Sequence, residues 1–170
     1  MVSITTQDTK LARAMEPRAS APHKRFSAIR KLSEAGIPSG VMTAPMIPGL
    51  NDSEMEAIME QAASHGATFG GYTILRLPLE VSTLFQEWLE ALAPDRAKRI
   101  MRHIRDINDG KNYDPHWSRG GEVKSPYALL IGQRHAAKKA KLNFVRNRKP
   151  LDLSQFKVPI ALSTQMDLFD

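Results

Sequence analysis

Strand-like runs alternate with helix-like segments over residues 2–78, and this alternation constrains the fold more than any other feature of the chain. The strand-like runs lie near residues 2–6, 40–45 and 70–76. Strands that are separated by helices form right-handed βαβ crossovers, which build a parallel sheet. The sequence therefore predicts an α/β fold with about three parallel strands.

End signals mark the two crossover helices. Ser20 followed by Pro22 predicts an N-cap and a first-turn proline, and Gly36 predicts the end of that helix. Asn51 and Glu54 predict a capping pair at the start of the next helix. Both helices are therefore expected to begin with side-chain caps.

Beyond residue 78 the pattern changes to helices alone. A helix that begins at Pro94 is expected to place four arginines on its outer face, namely Arg96, Arg99, Arg102 and Arg105. Ser125 and Pro126 predict the start of another helix. Three regions follow from these patterns: a βα region at 1–78, a helical extension at 79–149 and a flexible tail at 150–170.

Composition narrows the class of protein. The 170 residues suit one domain of ordinary size, and 42% hydrophobic residues suffice for a core. No apolar run is long enough to cross a membrane, and the polar segment Val2–Lys10 is unlike a signal peptide. We therefore expect a cytoplasmic protein that makes no membrane contact.

Patterns typical of protein-bound metals are missing from this sequence. The chain has no cysteine, which excludes disulfides, thiolate metal sites and a cysteine nucleophile. The five histidines show no ligand spacing, so all are expected on the surface; they are His23, His65, His103, His116 and His135.

Positive charge is concentrated late in the chain, whose formal net charge is +6. Residues 123–151 contain no aspartate or glutamate. The segment is either a solvated basic face or a contact surface for nucleic acid. The cations assigned to nucleic-acid contact are Arg134, Lys138, Lys139, Lys141, Arg146, Arg148 and Lys149.

Ligands of parallel α/β folds bind where the strands end. That rule selects seven residues at the strand ends: Ser3, Thr5 and Thr6 for the first strand, Thr43, Pro45 and Ile47 for the second, and Arg76 for the third. Ser3 and Thr5 could equally be ordinary strand residues. Arg76 lies in an apolar run, where an unpaired charge is costly, so it faces a polar opening or has a structural partner.

Four motifs occur in order along the chain. They are Val-Ser-Ile-Thr-Thr at 2–6, Glu-Pro-Arg at 16–18, Ala-Pro-Met-Ile-Pro-Gly-Leu-Asn-Asp at 44–52 and Leu-Arg-Leu-Pro at 75–78. Together they resemble the later part of the radical SAM barrel, in the branch that includes spore photoproduct lyase and DNA repair photolyase-like proteins. The resemblance covers roughly residues 2–145. It implies that residues 1–78 form part of a (β/α) barrel.

The resemblance implies a site for S-adenosylmethionine. Ser3 or Thr5 would then hydrogen-bond the sugar hydroxyls or the methionyl end of the cofactor. Pro45 and Ile47 would pack against the adenine, and Arg76 would lie at the mouth of the barrel.

The Glu-Pro-Arg motif also belongs to this implied site. Glu16 and Arg18, together with Arg25, resemble a segment of these enzymes that would contact the methionyl carboxylate. A guanidinium fork binds two carboxylate oxygens at once. The alternative from the residues alone is a surface Glu–Arg pair of little energetic value.

One departure from the family bears directly on activity. Radical SAM enzymes hold a 4Fe–4S cluster on a Cys-x3-Cys-x2-Cys loop, and this chain has no cysteine. We therefore expect a fragment that lacks an N-terminal half and is inactive alone. The alternative is a non-catalytic DNA-associated protein.

A second short motif lies in the tail. Gln165, Leu168 and Phe169 resemble the Gln-x-x-Leu-Phe peptide that binds the bacterial sliding clamp. In that mode the two apolar side chains enter a pocket and the amide fixes the register. The alternative is that this apolar end packs back on its own domain.

Overall fold

The computed structural model describes residues 1–113, 125–145, 153–154 and 156–157. Within these ranges three parallel strands form one sheet in the order β1-β2-β3, so the predicted α/β fold with three parallel strands is confirmed. The strands are β1 (Val2–Ser3), β2 (Gly40–Met46) and β3 (Phe69–Ile74). The six helices are α1 (Thr9–Met15), α2 (Pro22–Glu34), α3 (Met55–Ser64), α4 (Val81–Leu92), α5 (Pro94–Ile107) and α6 (Pro126–Lys141).

β1 and β3 end earlier than the sequence predicts, whereas β2 extends one residue further, to Met46. β1 ends at Ser3, so Thr5 and Thr6 lie beyond it, and β3 ends at Ile74, so Arg76 lies outside the strand. A short 3-10 helix, Asp52–Glu54, precedes α3. The polar side chains after each strand therefore belong to connecting segments, which bind ligands more often than strands do.

Two apolar clusters hold these elements together. The larger joins the sheet to α2, α3 and α6; its fully buried members include Ile4, Ile29, Val41, Met55, Ile58 and Ile131. The smaller joins α4 and α5 to the segments after β2 and β3; it comprises Ile47, Leu77, Leu89, Ala97, Ile100, Met101 and Ile104. Each fully buried large side chain contributes about 1.5–3 kcal/mol. The outward placement of the four α5 arginines is confirmed.

Helix α6 and the residues that follow it pack back on the sheet. Phe144 lies so close to Gly70 that a Cβ at Gly70 would stand 2.9 Å from its ring. The Val145 amide donates a hydrogen bond to Thr68 O at 2.9 Å. None of the helices in the described ranges has the length and hydrophobicity that a membrane crossing requires.

The predicted helix caps are corrected by the structure. Ala21, not Ser20, is the N-cap of α2, although Pro22 does begin the helix. Asn51 makes no side-chain capping bond, and neither does Glu54 at the start of α3. These two side chains are engaged with the segment after β1.

His135 lies in the core, and its predicted surface position is wrong. Its side chain on α6 packs against Tyr72 of β3, with 4.7 Å between ring centroids. Only 9% of the residue is exposed, and Nε2 has no hydrogen-bond partner among the described residues. Burial, with a smaller effect of the Lys139 charge, lowers the pKa of His135. The apolar packing around α6 therefore favours the neutral ring.

Acid should weaken the fold through this residue. The unfolded chain protonates His135 near its ordinary pKa of 6.5, whereas the folded chain resists protonation, so the unfolded state binds more protons. The free energy of unfolding should fall as the pH drops below about 6.5. His135→Phe should reduce this fall and exposed His23→Phe should not. Urea unfolding followed by circular dichroism between pH 8 and 5 tests this, and an unchanged pH dependence in His135→Phe would contradict it.

Candidate functional site

The side chain of Asn51 joins the carboxyl ends of β1 and β2. Its Nδ2 donates to Thr5 O and to Pro45 O, both at 2.9 Å, and its Oδ1 accepts from the Ile47 amide at 2.7 Å. Asn51 is fully buried. One amide thus satisfies three backbone groups that would otherwise lie unpaired in the interior.

Glu54 orders the turn that follows Thr6. Its two carboxylate oxygens accept from Thr6 Oγ1 at 2.6 Å and from the Gln7 amide at 2.7 Å. Thr6 Oγ1 in turn accepts from the Asp8 amide at 3.0 Å. The predicted pairing of Asn51 with Glu54 at a helix start is wrong because both side chains bind the segment after β1.

Four of the predicted cofactor residues lie in one polar cluster at the end of β1. Thr5 Oγ1 stands 3.1 Å from both Glu16 Oε2 and Ala44 O, and it can donate to one of them at a time. Arg25 Nη2 donates to the same Glu16 oxygen at 2.9 Å. Ser3 joins the cluster through its carbonyl, which accepts from Arg25 Nη1 at 2.9 Å.

The two arginines of the predicted site differ in availability. Arg25 also donates from Nε to Ser20 O at 2.8 Å, so all three of its nitrogens have partners. Arg18 lies on the exposed turn after α1 and makes no hydrogen bond or ion pair with the described residues. Arg25 therefore stabilises the cluster, whereas the Arg18 guanidinium is free for an external anion.

An apolar groove of about 260 Å³ opens between α1 and α4 at the carboxyl edge of the sheet. Its lining residues are Ala14, Met15, Ile47, Leu75, Val81, Leu84, Phe85 and Trp88. Phe85 and Trp88 are 5.4 Å apart between ring centroids, and Trp88 Nε1 donates to Ala14 O at 3.2 Å. The groove is thus a preformed surface with two aromatic rings.

Arg76 has a structural partner. It is exposed, donates from Nη2 to Tyr113 Oη at 2.8 Å, and lies 5.4 Å from the centroid of the Tyr113 ring. This contact combines a hydrogen bond with a cation–π interaction. Of the other predicted residues, Pro45 is half-buried and Ile47 is fully buried behind the groove.

Two of the cations assigned to nucleic acid are paired with carboxylates. Arg134 contacts Glu56 at 2.6 Å and Asp52 at 3.3 Å, and Lys138 contacts Glu60. The hydrogen bond from Arg134 lowers the pKa of Glu56. Two further cations of α6 were assigned to nucleic acid: Lys139 is half-buried and Lys141 is exposed. Their assignment to nucleic acid remains a prediction, and the remaining predicted contacts lie outside the described residues: Arg146, Arg148, Lys149, Gln165, Leu168 and Phe169.

Sequence reasoning missed Asn51, Phe85 and Trp88 as members of the site. The asparagine matched a capping pattern, and the aromatic pair matched an apolar helix stripe. The available signal was the width of the apolar stripe on α4. Packing does not bury all of this stripe, and Leu84 remains 61% exposed.

The comparisons with known proteins identify relatives and no family. No family model matches the chain, and no solved structure matches it. The chain is 29% identical over 153 residues to uncharacterized protein Mb2609c of Mycobacterium bovis and to uncharacterized protein Rv2578c of Mycobacterium tuberculosis. These matches cover 88% of this chain and 41% of each relative, so the chain spans about two fifths of their length. A shorter match, 39% identical over 70 residues, covers 38% of this chain and 23% of uncharacterized protein ORF301 of Acidianus two-tailed virus.

Asn51→Ala should destabilise the protein by about 2–4 kcal/mol, because it leaves three buried backbone groups without a partner. Exposed Gln61→Ala on α3 should change stability by less than about 0.5 kcal/mol. Chemical denaturation at neutral pH measures both values. A loss of under about 1 kcal/mol for Asn51→Ala would contradict the bridging role.

Proposed function

We propose that this chain is the later portion of a radical SAM-type barrel and that its strand ends contribute to an S-adenosylmethionine site. The observation that carries the proposal is the aromatic groove beside the polar Thr5–Glu16 cluster at one edge of a parallel sheet. Such edges bind ligands in parallel α/β folds. The four motifs in order along the chain support the same assignment.

The residues present suit the two ends of S-adenosylmethionine. The groove, with Leu75, Phe85 and Trp88, offers a flat apolar surface for the adenosyl ring. The polar cluster offers hydroxyl and carboxylate oxygens for sugar hydroxyls and an amino group. Arg18 would bind the methionyl carboxylate, and Arg25 would hold Glu16 in place rather than contact the ligand.

When bound, S-adenosylmethionine would supply the sulfonium group that reductive cleavage requires. This chain has no cysteine for a 4Fe–4S cluster, so its residues do not fit that group and no step is assigned to it. In the proposal, the cluster ligands belong to an N-terminal half outside this chain, and the intact enzyme acts on nucleic acid. The role of this chain is to orient the ligand and to exclude water from one side of it.

Trp88 lines the groove, so its fluorescence can report directly on a ligand bound there. The other tryptophan of the chain is Trp117, and Trp117→Phe removes its signal. In Trp117→Phe, S-adenosylmethionine should change Trp88 fluorescence saturably at submillimolar concentration. Leu84→Glu at the groove rim should abolish the change, because it places a carboxylate where the adenosyl ring binds. Leu129→Glu is the matched control, because it makes the same substitution at an exposed leucine of α6, and it should leave the fluorescence change intact.

Two outcomes would overturn the proposed site. One is the absence of any saturable change up to millimolar ligand. The other is an equal response in the Leu84→Glu and Leu129→Glu variants, because a ligand bound elsewhere would not distinguish them.

A second candidate function rests on the tail motif. We propose as the alternative that the chain is a non-catalytic DNA-associated protein whose tail binds a bacterial sliding clamp. The Gln-x-x-Leu-Phe match at residues 165–169 and the acid-free segment 123–151 favour it. Burial of Leu168 and Phe169 would contribute about 1.5–3 kcal/mol each, and a total of about 6 kcal/mol corresponds to a Kd of tens of micromolar.

A labelled peptide of residues 160–170 should bind a purified bacterial clamp saturably in fluorescence anisotropy. Replacement of Leu168 and Phe169 by alanine should abolish binding, because buried apolar side chains dominate such contacts. Met166→Ala is the matched control and should have little effect. No saturable binding by about 100 μM would reject this function.

A further inference from the structure

Helix α5 carries a row of four exposed arginines, Arg96, Arg99, Arg102 and Arg105, which we term the arginine row. A spacing of three residues advances about 4.5 Å along a helix, so the row extends over about 13 Å. The opposite face of α5 is buried, through Ile100, Met101 and Ile104. The helix is therefore fixed in orientation, and the row is displayed on a rigid element.

The charges of this row are uncompensated within the described part of the chain. Arg99 and Arg102 make no hydrogen bond or ion pair there. Arg96 donates to Gly49 O at 3.2 Å and Arg105 donates to Asn112 Oδ1 at 2.9 Å, and both acceptors are neutral. Two aspartates, at positions 95 and 106, flank the row, but none of the four guanidinium groups has a carboxylate within 4.0 Å among the described residues.

The basic helix α6 differs in this respect. Its Arg134 and Lys138 are held by carboxylates of α3 or of the turn before it. An ion-paired cation must first lose its partner before it can bind a phosphate, whereas a free guanidinium binds at no such cost. Of these two helices in the described part of the chain, α5 therefore has the greater capacity for polyanions.

We propose that the arginine row of α5 binds the phosphate backbone of nucleic acid. A guanidinium fork matches two phosphate oxygens, and Arg99 and Arg102 lie one helical turn apart on the exposed face, where both can contact phosphates of one backbone. A lipid surface fits less well, because helices that bind membranes insert an apolar face and the apolar face of α5 is buried in the protein. The contact from Arg96 to Gly49 places one end of the row beside the loop after β2.

The test compares two double variants of the full chain. Arg99→Gln/Arg102→Gln removes the two free guanidinium groups, and Lys24→Gln/Lys31→Gln removes equal charge from exposed positions on α2. Fluorescence anisotropy with a labelled 20-base-pair DNA duplex is measured from 50 to 300 mM salt, and thermal unfolding verifies that both variants fold. This proposal does not depend on binding of S-adenosylmethionine.

The α5 variant should weaken DNA binding about tenfold or more at 100 mM salt and lower the salt slope by about 2, because two phosphate contacts are lost. The α2 variant should lose less than about threefold. Equal losses in both variants, no loss in the α5 variant, or no DNA binding by the unmodified chain would overturn the proposal. Tighter binding to phosphatidylserine vesicles than to DNA would overturn it as well.

Discussion

The buried amide of Asn51 is the interaction on which the geometry of this edge of the sheet depends. It satisfies the Thr5 and Pro45 carbonyls and the Ile47 amide at once. The paired register of β1 and β2 ends at Ser3 and Met42, so the Thr5 and Pro45 carbonyls lie beyond it, and a buried unpaired group is costly. With the amide in place, Ile47 faces the groove and Thr5 faces Glu16.

The loop that contains Asn51 is also attached to the last described helix. Asp52 accepts from the Gly49 amide through Oδ1, while its Oδ2 accepts from Tyr127 and Arg134. Arg134 also donates two hydrogen bonds to Glu56, so one guanidinium links α6 to the loop and to α3. Arg134 and Lys138 of α6 thus stabilise the fold, whereas the arginines of α5 have no carboxylate partner among the described residues.

The fold was predictable where one pattern had one structural meaning. Alternation of strands and helices predicted the parallel sheet, and the 3.6-residue period of α5 predicted which face its arginines occupy. Ser3, Thr5, Glu16 and Arg25 were selected from strand ends and a family resemblance, and the structure brings them together. The role of each residue in the cluster was not predictable. The partners of the three Arg25 nitrogens lie at different distances along the chain, and only the fold brings them together.

The rest failed for physical reasons. Asn51 and Glu54 had the local signature of a helix cap, but tertiary hydrogen bonds to the segment after β1 satisfied them instead. His135 was expected on the surface because the histidines show no ligand spacing, yet its side chain packs against Tyr72 in the core. The groove could not be predicted from the sequence. An apolar stripe on a helix reads the same whether another helix, a ligand or solvent covers it.

The central claim is that the carboxyl edge of this sheet is the ligand-binding edge. Backbone amide chemical shifts of the isotope-labelled chain, measured during titration with S-adenosylmethionine, test it most directly. If this edge binds the ligand, the chemical shifts of the Thr5, Ile47 and Leu75 amides and of the Trp88 indole should change. Those of Ile37 and Thr68, on the opposite edge, should stay the same. An unchanged spectrum, or changes that are largest at Ile37 and Thr68, would contradict it.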